Sequence, residues 1–250
     1  MSDESSSMWK RPDFIPFPMV WHRFAGDSKT AKLPIKIQDI PPDRFDEVLD
    51  FMSSEFDTHE PISACPRSAE ILNRENVRAA LRSLRRKVLE QRVSLFAVLE
   101  NDDPKPEMVG CVLLIVNHDK KIFPLDRIEE YQQVMEIVLH VRRNVNIKQL
   151  FRLKPYAQDL GICVASKFYG METCHRLLVA LENMASTLGI AGAAMSFSSK
   201  YSQRSAEKAG FMLLKEIKYE DFKDENGDRK LPIEDTDSIK FMYAIYCNRE

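Results

Sequence analysis

The sequence predicts a single domain of the α/β (α+β) class, in which strands and helices mix along one chain. Apolar residues make up 44% of the 250 residues and charged residues 30%, a composition typical of a globular protein with a sizeable core. Strand-like and helix-like apolar patterns follow one another without an internal repeat. We expect residues 32–250 to form this domain, after an extended arm over residues 1–31 that is rich in Ser, Pro and Lys.

The first half of the domain predicts a strand, two helices and a pair of strands. LPIKIQDI alternates as a strand does, and PPDRFDEVLDFMSSEF has its apolar residues on one helical face behind a proline-rich start. Residues 68–92 also show helical spacing, with an arginine-rich opposite face. SLFAVLE and MVGCVLLIV then predict two strands joined by the turn NDDPKPE.

The second half predicts three helices and four strands. A helical stretch, RIEEYQQVMEIVLHVRRN, precedes the strand DLGICV, and residues 172–188 form a helix that ends at Gly189. AGAAMSFS predicts a strand, YSQRSAEKA a short helix and FMLLKEIKY a further strand. DENGDR predicts a turn before the last strand, SIKFMYAIYCN.

Charge, hydropathy and cysteine content exclude several classes of protein. The net charge of −2 and the pI of about 6.3 do not match the basic surface of a nucleic-acid binder. No apolar run reaches the ~18 residues of a membrane span, and the N-terminus lacks a signal-peptide pattern. The five scattered cysteines fit a reduced protein better than a disulfide framework, and none has zinc spacing. We therefore expect a cytoplasmic protein with no nucleic-acid, membrane or metal partner.

The turn SKFYGMETCH, between the strand DLGICV and the next helix, is a candidate phosphate site. Backbone N–H groups converge at the positive end of a helix, and a glycine lets an anion approach them closely. Gly170 is the one glycine of this turn, and Glu172 stands at the start of the helix. A carboxylate ~4 Å from a phosphate would cost on the order of 4 kcal/mol at an effective dielectric constant of ~20. Glu172 could instead point to solvent while its N–H still donates.

Three features together resemble the GNAT fold of acetyl-coenzyme A-dependent N-acetyltransferases. The first is the order of elements around this strand–turn–helix. The second is SSKYSQRSAEKAGF, residues 198–211, which resembles the helix and Gly-Phe strand entry of insect arylalkylamine N-acetyltransferases. The third is THEPI, residues 58–62, which resembles their acidic-Glu-Pro-Leu element. The resemblance covers residues 34–248 and implies a central mixed, mostly antiparallel twisted sheet of about seven strands with helices on both faces.

The resemblance implies that acetyl-CoA binds as a co-substrate at the turn, with no metal. The family pattern there is Arg/Gln-x-x-Gly-x-Gly/Ala, so Lys167 stands where Arg or Gln is usual, Gly170 is in register and Glu172 replaces the second Gly/Ala. Backbone N–H groups of the preceding strand would meet the thioester carbonyl. The implied cofactor-binding residues are Ile162, Cys163, Val164, Lys167, Gly170, Glu172, Thr173, Tyr201 and Arg204.

The resemblance also implies a catalytic set. A protonated amine must lose a proton before it attacks a thioester, and the family's carboxylate for this step maps onto Glu60. Its catalytic serines map onto Ser198 and Ser202, although a serine at a helix start is also a common cap. Many GNAT enzymes protonate the departing thiolate with a tyrosine at the position of Ala206. Here that proton would come from Ser198, Ser202, Tyr201 or water.

Two hypotheses for function follow from the resemblance. The first is an acetyl-CoA-dependent N-acetyltransferase that acetylates a small primary amine by direct transfer in a ternary complex. The amine would be an arylalkylamine such as dopamine, serotonin or tryptamine, or a polyamine-like molecule, and the protein a monomer or weak dimer. The alternative is a catalytically impaired GNAT-fold protein that serves in binding or regulation, as Glu172 and the missing tyrosine would suggest.

Overall fold

The computed structural model describes residues 9–27, 32–117, 129–152 and 154–246. Eight strands of the described chain form one sheet, in the order β1-β2-β3-β4-β5-β6-β8-β7. The strands are β1 Val20–Asp27, β2 Lys32–Asp39, β3 Leu95–Leu99, β4 Met108–Asn117, β5 Tyr156–Val164, β6 Gly192–Phe197, β7 Met212–Lys218 and β8 Ser238–Ile245. The mixed, mostly antiparallel sheet confirms the predicted class, with one strand more than the predicted seven.

The additional strand lies inside the segment predicted to be an extended arm. Residues Val20–Asp27 pair antiparallel with β2, so the arm of residues 1–31 contributes the edge of the sheet. The sequence VWHRFAGD alternates, with Trp21 packed into the core, but the prolines before it obscured this pattern. The predicted boundary at residue 32 therefore falls between two paired strands.

Helices cover both faces of the sheet. The described α-helices of four residues or more are α1 Phe45–Phe51, α2 Pro66–Leu72, α3 Glu75–Leu89, α4 Glu129–Arg142, α5 Ile147–Leu150, α6 Thr173–Leu188 and α7 Lys200–Lys208. Helix α6 packs on one face against Leu95 and Ala97, whereas α1 and α3 pack on the other against Phe96 and Val98. This division follows from the alternation of side chains along β3. Among the described helices, none has both the length and the apolar character needed to cross a membrane.

The sheet opens between β5 and β6. These two strands are parallel and share a single registered pair, Ala157 with Ala193. Beyond that pair the strands separate toward their C-terminal ends. On its other side β5 stays paired with β4, except at an irregularity that includes Gly161, whose φ is +126°. The result is a V-shaped gap, closed at Ala157 and open at Val164.

Candidate active site

A cavity of about 860 Å³ lies at the open part of this gap. Its walls come from the segment after α1, from α3, α4 and β5, from the turn after β5, and from the starts of α6 and α7. Every predicted site residue except one lines it: Glu60, Ile162, Cys163, Val164, Gly170, Glu172, Thr173, Ser198, Tyr201, Ser202 and Arg204. The fold therefore brings together motifs that are more than 100 residues apart in the chain.

Lys167 is the predicted site residue that does not line the cavity. Its ammonium group forms an ion pair with Glu107 and lies 5.1 Å from the centre of the Phe168 ring. The Lys167 side chain is 61% exposed. In this conformation its charge is directed toward the β3–β4 connection rather than toward the turn.

The open edge of β5 presents two of the three predicted backbone donors to the gap. Ala165 donates its N–H to the Val109 carbonyl at 2.9 Å, so this position faces β4. Hydrogen-bonding direction alternates along an antiparallel strand, so Cys163 also faces β4, while Ile162 and Val164 face the gap. Burial raises the pKa of the Cys163 thiol, which suits an inert thiol rather than a nucleophile.

The start of α6 has the features of an anion site. The Thr173 hydroxyl is buried, with the residue 2% exposed, and it has no hydrogen-bond partner among the described residues. The N–H groups of Thr173, Cys174 and His175 likewise have no acceptor in the described chain, as expected for the first turn of a helix. Gly170, at φ +86°, makes the turn that exposes this helix end.

The Glu172 side chain lies beside two cations. Its carboxylate forms one ion pair with Lys208 of α7 and another with Arg176, at 3.2 Å. The hydrogen bond from Lys208 lowers the pKa of Glu172, so the carboxylate is ionised and paired at neutral pH. The backbone of Glu172 is left-handed, with φ +60° and ψ +8°, a conformation that glycine adopts without strain.

Glu60 follows a π-helical extension of α1. Residues Met52–Phe56 form the π-helix, and a helical turn, Asp57–His59, ends as the backbone of Glu60 becomes extended. One Glu60 carboxylate oxygen accepts the Ser63 N–H at 2.7 Å, and the residue is half-buried on the cavity wall. Asp57 anchors this segment, because its carboxylate accepts two hydrogen bonds from Arg85, at 2.5 and 2.7 Å.

The serines at the start of α7 have different roles in the structure. Ser199 caps the helix, and its hydroxyl accepts the Ser202 N–H at 3.1 Å. The Ser202 hydroxyl closes a capping box, 2.9 Å from both the hydroxyl and the carbonyl oxygen of Ser199. Ser198 lies just before this cap, and its carbonyl accepts a hydrogen bond from the Tyr219 hydroxyl at 2.8 Å. Of the two roles considered for the predicted serines, catalysis and helix capping, Ser202 therefore has the capping role in this structure.

Comparison with solved structures identifies the fold. The chain superposes on a putative arylalkylamine N-acetyltransferase 7 from the yellow fever mosquito Aedes aegypti with a TM-score of 0.81 and 24% identity, covering 95% of this chain and 99% of that one. The chain has the GNAT fold. Arylalkylamine N-acetyltransferase 2 from Aedes aegypti gives a TM-score of 0.73 at 19% identity, covering 85% and 99%. A Drosophila melanogaster polyamine N-acetyltransferase that forms N-acetylagmatine gives 0.65 at 15%, covering 84% and 99%.

These similarities are structural. No protein-family model matches the sequence, and no curated protein does.

Ala206 occupies the position at which many GNAT enzymes have a tyrosine. Ala206 lies on the core-facing side of α7 and is fully buried. Tyr201 lines the cavity but is 67% exposed, and Arg204 lines it from the next turn of α7. Of the proton donors considered from the sequence, Ser198 and the more exposed Tyr201 line the cavity outside the capping box.

Sequence reasoning missed the polar residues of the inner cavity. Tyr131, Arg142 and Asp159 all line it, and none belongs to the motifs that carry the resemblance. A signal was present, because Tyr131 and Arg142 are eleven residues apart, about three helical turns, and so share one face of their helix. This face lines a cavity only because α4 lies beside β5, and that placement cannot be predicted from the sequence pattern of α4 alone.

Proposed function

We propose that this protein is an acetyl-CoA-dependent N-acetyltransferase that acetylates a small primary amine by direct transfer in a ternary complex. The observation that carries the proposal is a single cavity that joins the Glu60 carboxylate, Ser198, Ser202, the open edge of β5 and the free start of α6. The names of the similar structures, which are arylalkylamine and polyamine N-acetyltransferases, support the same chemistry.

The residues on the α6 side of the cavity fit the cofactor. A pyrophosphate needs several converging donors, and the free N–H groups at the start of α6 and the buried Thr173 hydroxyl offer them. Glu172 is paired with Lys208 and Arg176, so two cations offset its charge. When bound, acetyl-CoA would supply the acetyl group as a thioester.

The proposed catalytic steps use three groups of this chain. Glu60 accepts a proton from the ammonium group, directly or through water, which frees the nitrogen lone pair to bond to the acyl carbon. An N–H group at the open edge of β5, that of Ile162 or that of Val164, donates to the carbonyl oxygen as negative charge develops on it. The C–S bond breaks as the C–N bond forms, and Ser198 or a water molecule beside it returns a proton to sulfur.

The amine side of the cavity favours an arylalkylamine such as dopamine, serotonin or tryptamine over a polyamine-like acceptor. The wall there is largely apolar, as a flat ring requires. Its apolar residues are Phe56, Ile62, Leu81, Leu84, Val134, Met135, Val138 and Ile239. On this side of the cavity, the Glu60 carboxylate then pairs with the single ammonium group of such an amine.

The test is release of coenzyme A thiol from acetyl-CoA across a panel of amines, with Glu60→Gln beside wild type. We expect Glu60→Gln to lower kcat by about 10²- to 10⁴-fold, the usual contribution of a general base. Acetyl-CoA affinity by calorimetry should stay unchanged, because Glu60 lies outside the α6 donors. Glu55→Gln is the matched control, since Glu55 lines the same cavity and accepts the Ser166 N–H at 3.1 Å. An equal loss in both variants would contradict the role of Glu60.

A binding or regulatory protein without turnover is the second candidate. It is favoured by the Ser202 hydroxyl, which is already bonded within the capping box, and by the buried Ala206 at the tyrosine position. Acetyl-CoA binding in the micromolar range without thiol release for any amine would support this candidate. Turnover that Glu60→Gln abolishes would eliminate it.

A further inference from the structure

We propose that Arg142 recognises the far end of the acceptor, selecting amines that carry a hydrogen-bond-accepting oxygen there and rejecting amines that carry a second positive charge. The inference rests on the proposed function, because it concerns the amine side of the same cavity. It chooses between two acceptor classes that the fold alone leaves open, namely single amines with an oxygen-bearing tail and diamines.

Helix α4 presents one continuous face to the cavity. Tyr131 lies near one end of this face and Arg142 at the other, about 16 Å apart along the helix axis at 1.5 Å per residue. The apolar residues Val134, Met135 and Val138 line the cavity between them. An elongated acceptor along this face would therefore have an apolar middle and polar groups at both ends.

The two ends of the face have different neighbours. The helix that follows Glu60 meets α4 near its start, where Arg67 donates to Gln133 at 3.2 Å, so the segment that carries Glu60 lies at the Tyr131 end. Arg142 contacts Asp159 and Ser196, close to the closed end of the β5–β6 gap. An amine with its nitrogen at Glu60 would direct its tail toward Arg142.

Two of the three guanidinium nitrogens of Arg142 donate hydrogen bonds to described residues, which hold the side chain in place. Its Nε–H donates to the Ser196 hydroxyl at 2.8 Å, and its Nη2 donates to Asp159 Oδ1 at 3.0 Å. Asp159 Oδ1 also accepts the Ser196 N–H at 3.1 Å, which fixes the pair to β6. Nη1 has no acceptor within the described residues, and the Arg142 side chain, 18% exposed, lines the cavity. The site therefore offers a fixed donor.

The charges at this end oppose a second ammonium group. A guanidinium has donors and no acceptor, so it pairs with an oxygen and not with another cation. The carboxylates nearby are already neutralised, Asp159 by Arg142 and Asp57 by both Nη nitrogens of Arg85. The remaining cavity acids lie elsewhere: Glu55 and Glu60 follow α1, Glu172 lies at α6, and Asp235 is exposed.

The experiment compares three acceptors that differ only in their last group: pentylamine, 5-aminopentanol and 1,5-diaminopentane. Dissociation constants by calorimetry and kcat/KM by thiol release are both measured. For wild type we expect 5-aminopentanol to be preferred over the diamine by about tenfold or more in both quantities, with pentylamine between them. Because binding is measured separately, a protein that binds amines in this order without turnover would refute the proposed function and still support the inference.

Two variants test Arg142 directly. The double variant Arg142→Gln/Asp159→Asn removes both charges together, so no carboxylate is left buried and unpaired, and we expect the preference to fall below about threefold. Arg142→Lys keeps the positive charge, so rejection of the diamine should persist. The matched control is Arg44→Gln/Glu47→Gln, which removes a second largely buried ion pair at residues that do not line the cavity. It should leave the order of acceptors unchanged.

Three outcomes would overturn the inference. They are a wild-type protein that binds the diamine as well as the alcohol, absence of binding for all three acceptors, and an equal loss of preference in both double variants. Circular dichroism and thermal unfolding of each variant show whether it is folded. If the Arg142 double variant is unfolded, the wild-type order of acceptors still decides, because a diamine that binds as tightly as the alcohol overturns the inference without any variant.

Discussion

At the scale of single residues, the conformation of Glu172 accounts for an acidic side chain at the start of α6, where we propose that the cofactor's phosphates bind. Its φ is +60°, a backbone conformation that residues other than glycine adopt at a cost of about 1 kcal/mol. Lys208 and Arg176 hold its carboxylate to one side. The exchange of glycine for glutamate therefore changes backbone strain and surface charge more than it changes the donors of the site.

Replacing Glu172 by Gly and by Ala separates these two effects. Both variants lose the same ion pairs, but only alanine keeps a Cβ at positive φ. We expect Glu172→Gly to be more stable than Glu172→Ala by about 1 kcal/mol in urea unfolding. Acetyl-CoA affinity should differ by less than about tenfold between wild type and Glu172→Gly. Binding seen only in the glycine variant would mean that the carboxylate does disable the site.

At the scale of elements, the site depends on the contact between the π-helical segment and β5. Gly161 has φ +126°, and a Cβ there would lie 2.9 Å from the Phe56 ring and 3.0 Å from the Met52 Cε atom. This close approach positions the segment that ends in Glu60 against the gap. π-Helical turns such as this one are rare in proteins as a whole, and those that occur are often found at functional sites.

Alanine at Gly161 should therefore be more harmful than alanine at Gly170. Both positions have positive φ, but a Cβ at Gly170 would meet no atom within 4 Å. We expect Gly170→Ala to cost about 1 kcal/mol from the backbone alone, and Gly161→Ala to cost at least about 1 kcal/mol more through contact with Phe56 and Met52. Urea unfolding of the two variants measures the difference. Equal losses would show that the two elements are not in firm contact.

At the scale of the whole molecule, the sequence predicts what depends on local pattern. The alternation in LPIKIQDI, the helical spacing of residues 172–188 and the motif around Glu60 all indicate elements that the structure contains. What it could not predict depends on distant contacts. The wall of the cavity from α4 and the partnership of Arg142 with Asp159 require the packing of elements that are not adjacent in sequence. The first strand was missed because prolines precede it.

The N-terminal segment is part of the domain because of one buried ion pair. Arg11 donates to both carboxylate oxygens of Asp39, at 3.0 and 2.9 Å, and the two side chains are 5% and 0% exposed. Asp39 also accepts the Trp21 indole N–H and the Met19 backbone N–H, each at 2.8 Å. Arg11 donates further to the Arg92 carbonyl at 2.8 Å. These bonds connect the first described residues to the edge of the sheet.

Removing Arg11 should destabilise the whole protein. Arg11→Ala leaves the Asp39 charge buried without its cation, and we expect a loss of about 3–5 kcal/mol in the free energy of unfolding. Arg23→Ala is the control on the same segment, because Arg23 pairs with Glu100 at the surface with its side chain 60% exposed, and it should cost at most about 1 kcal/mol. Urea unfolding measures both. Equal small losses would mean that residues 9–27 are an appendage, as the sequence pattern first indicated, whereas a large loss for Arg11→Ala alone makes them a structural part of the sheet that carries the site.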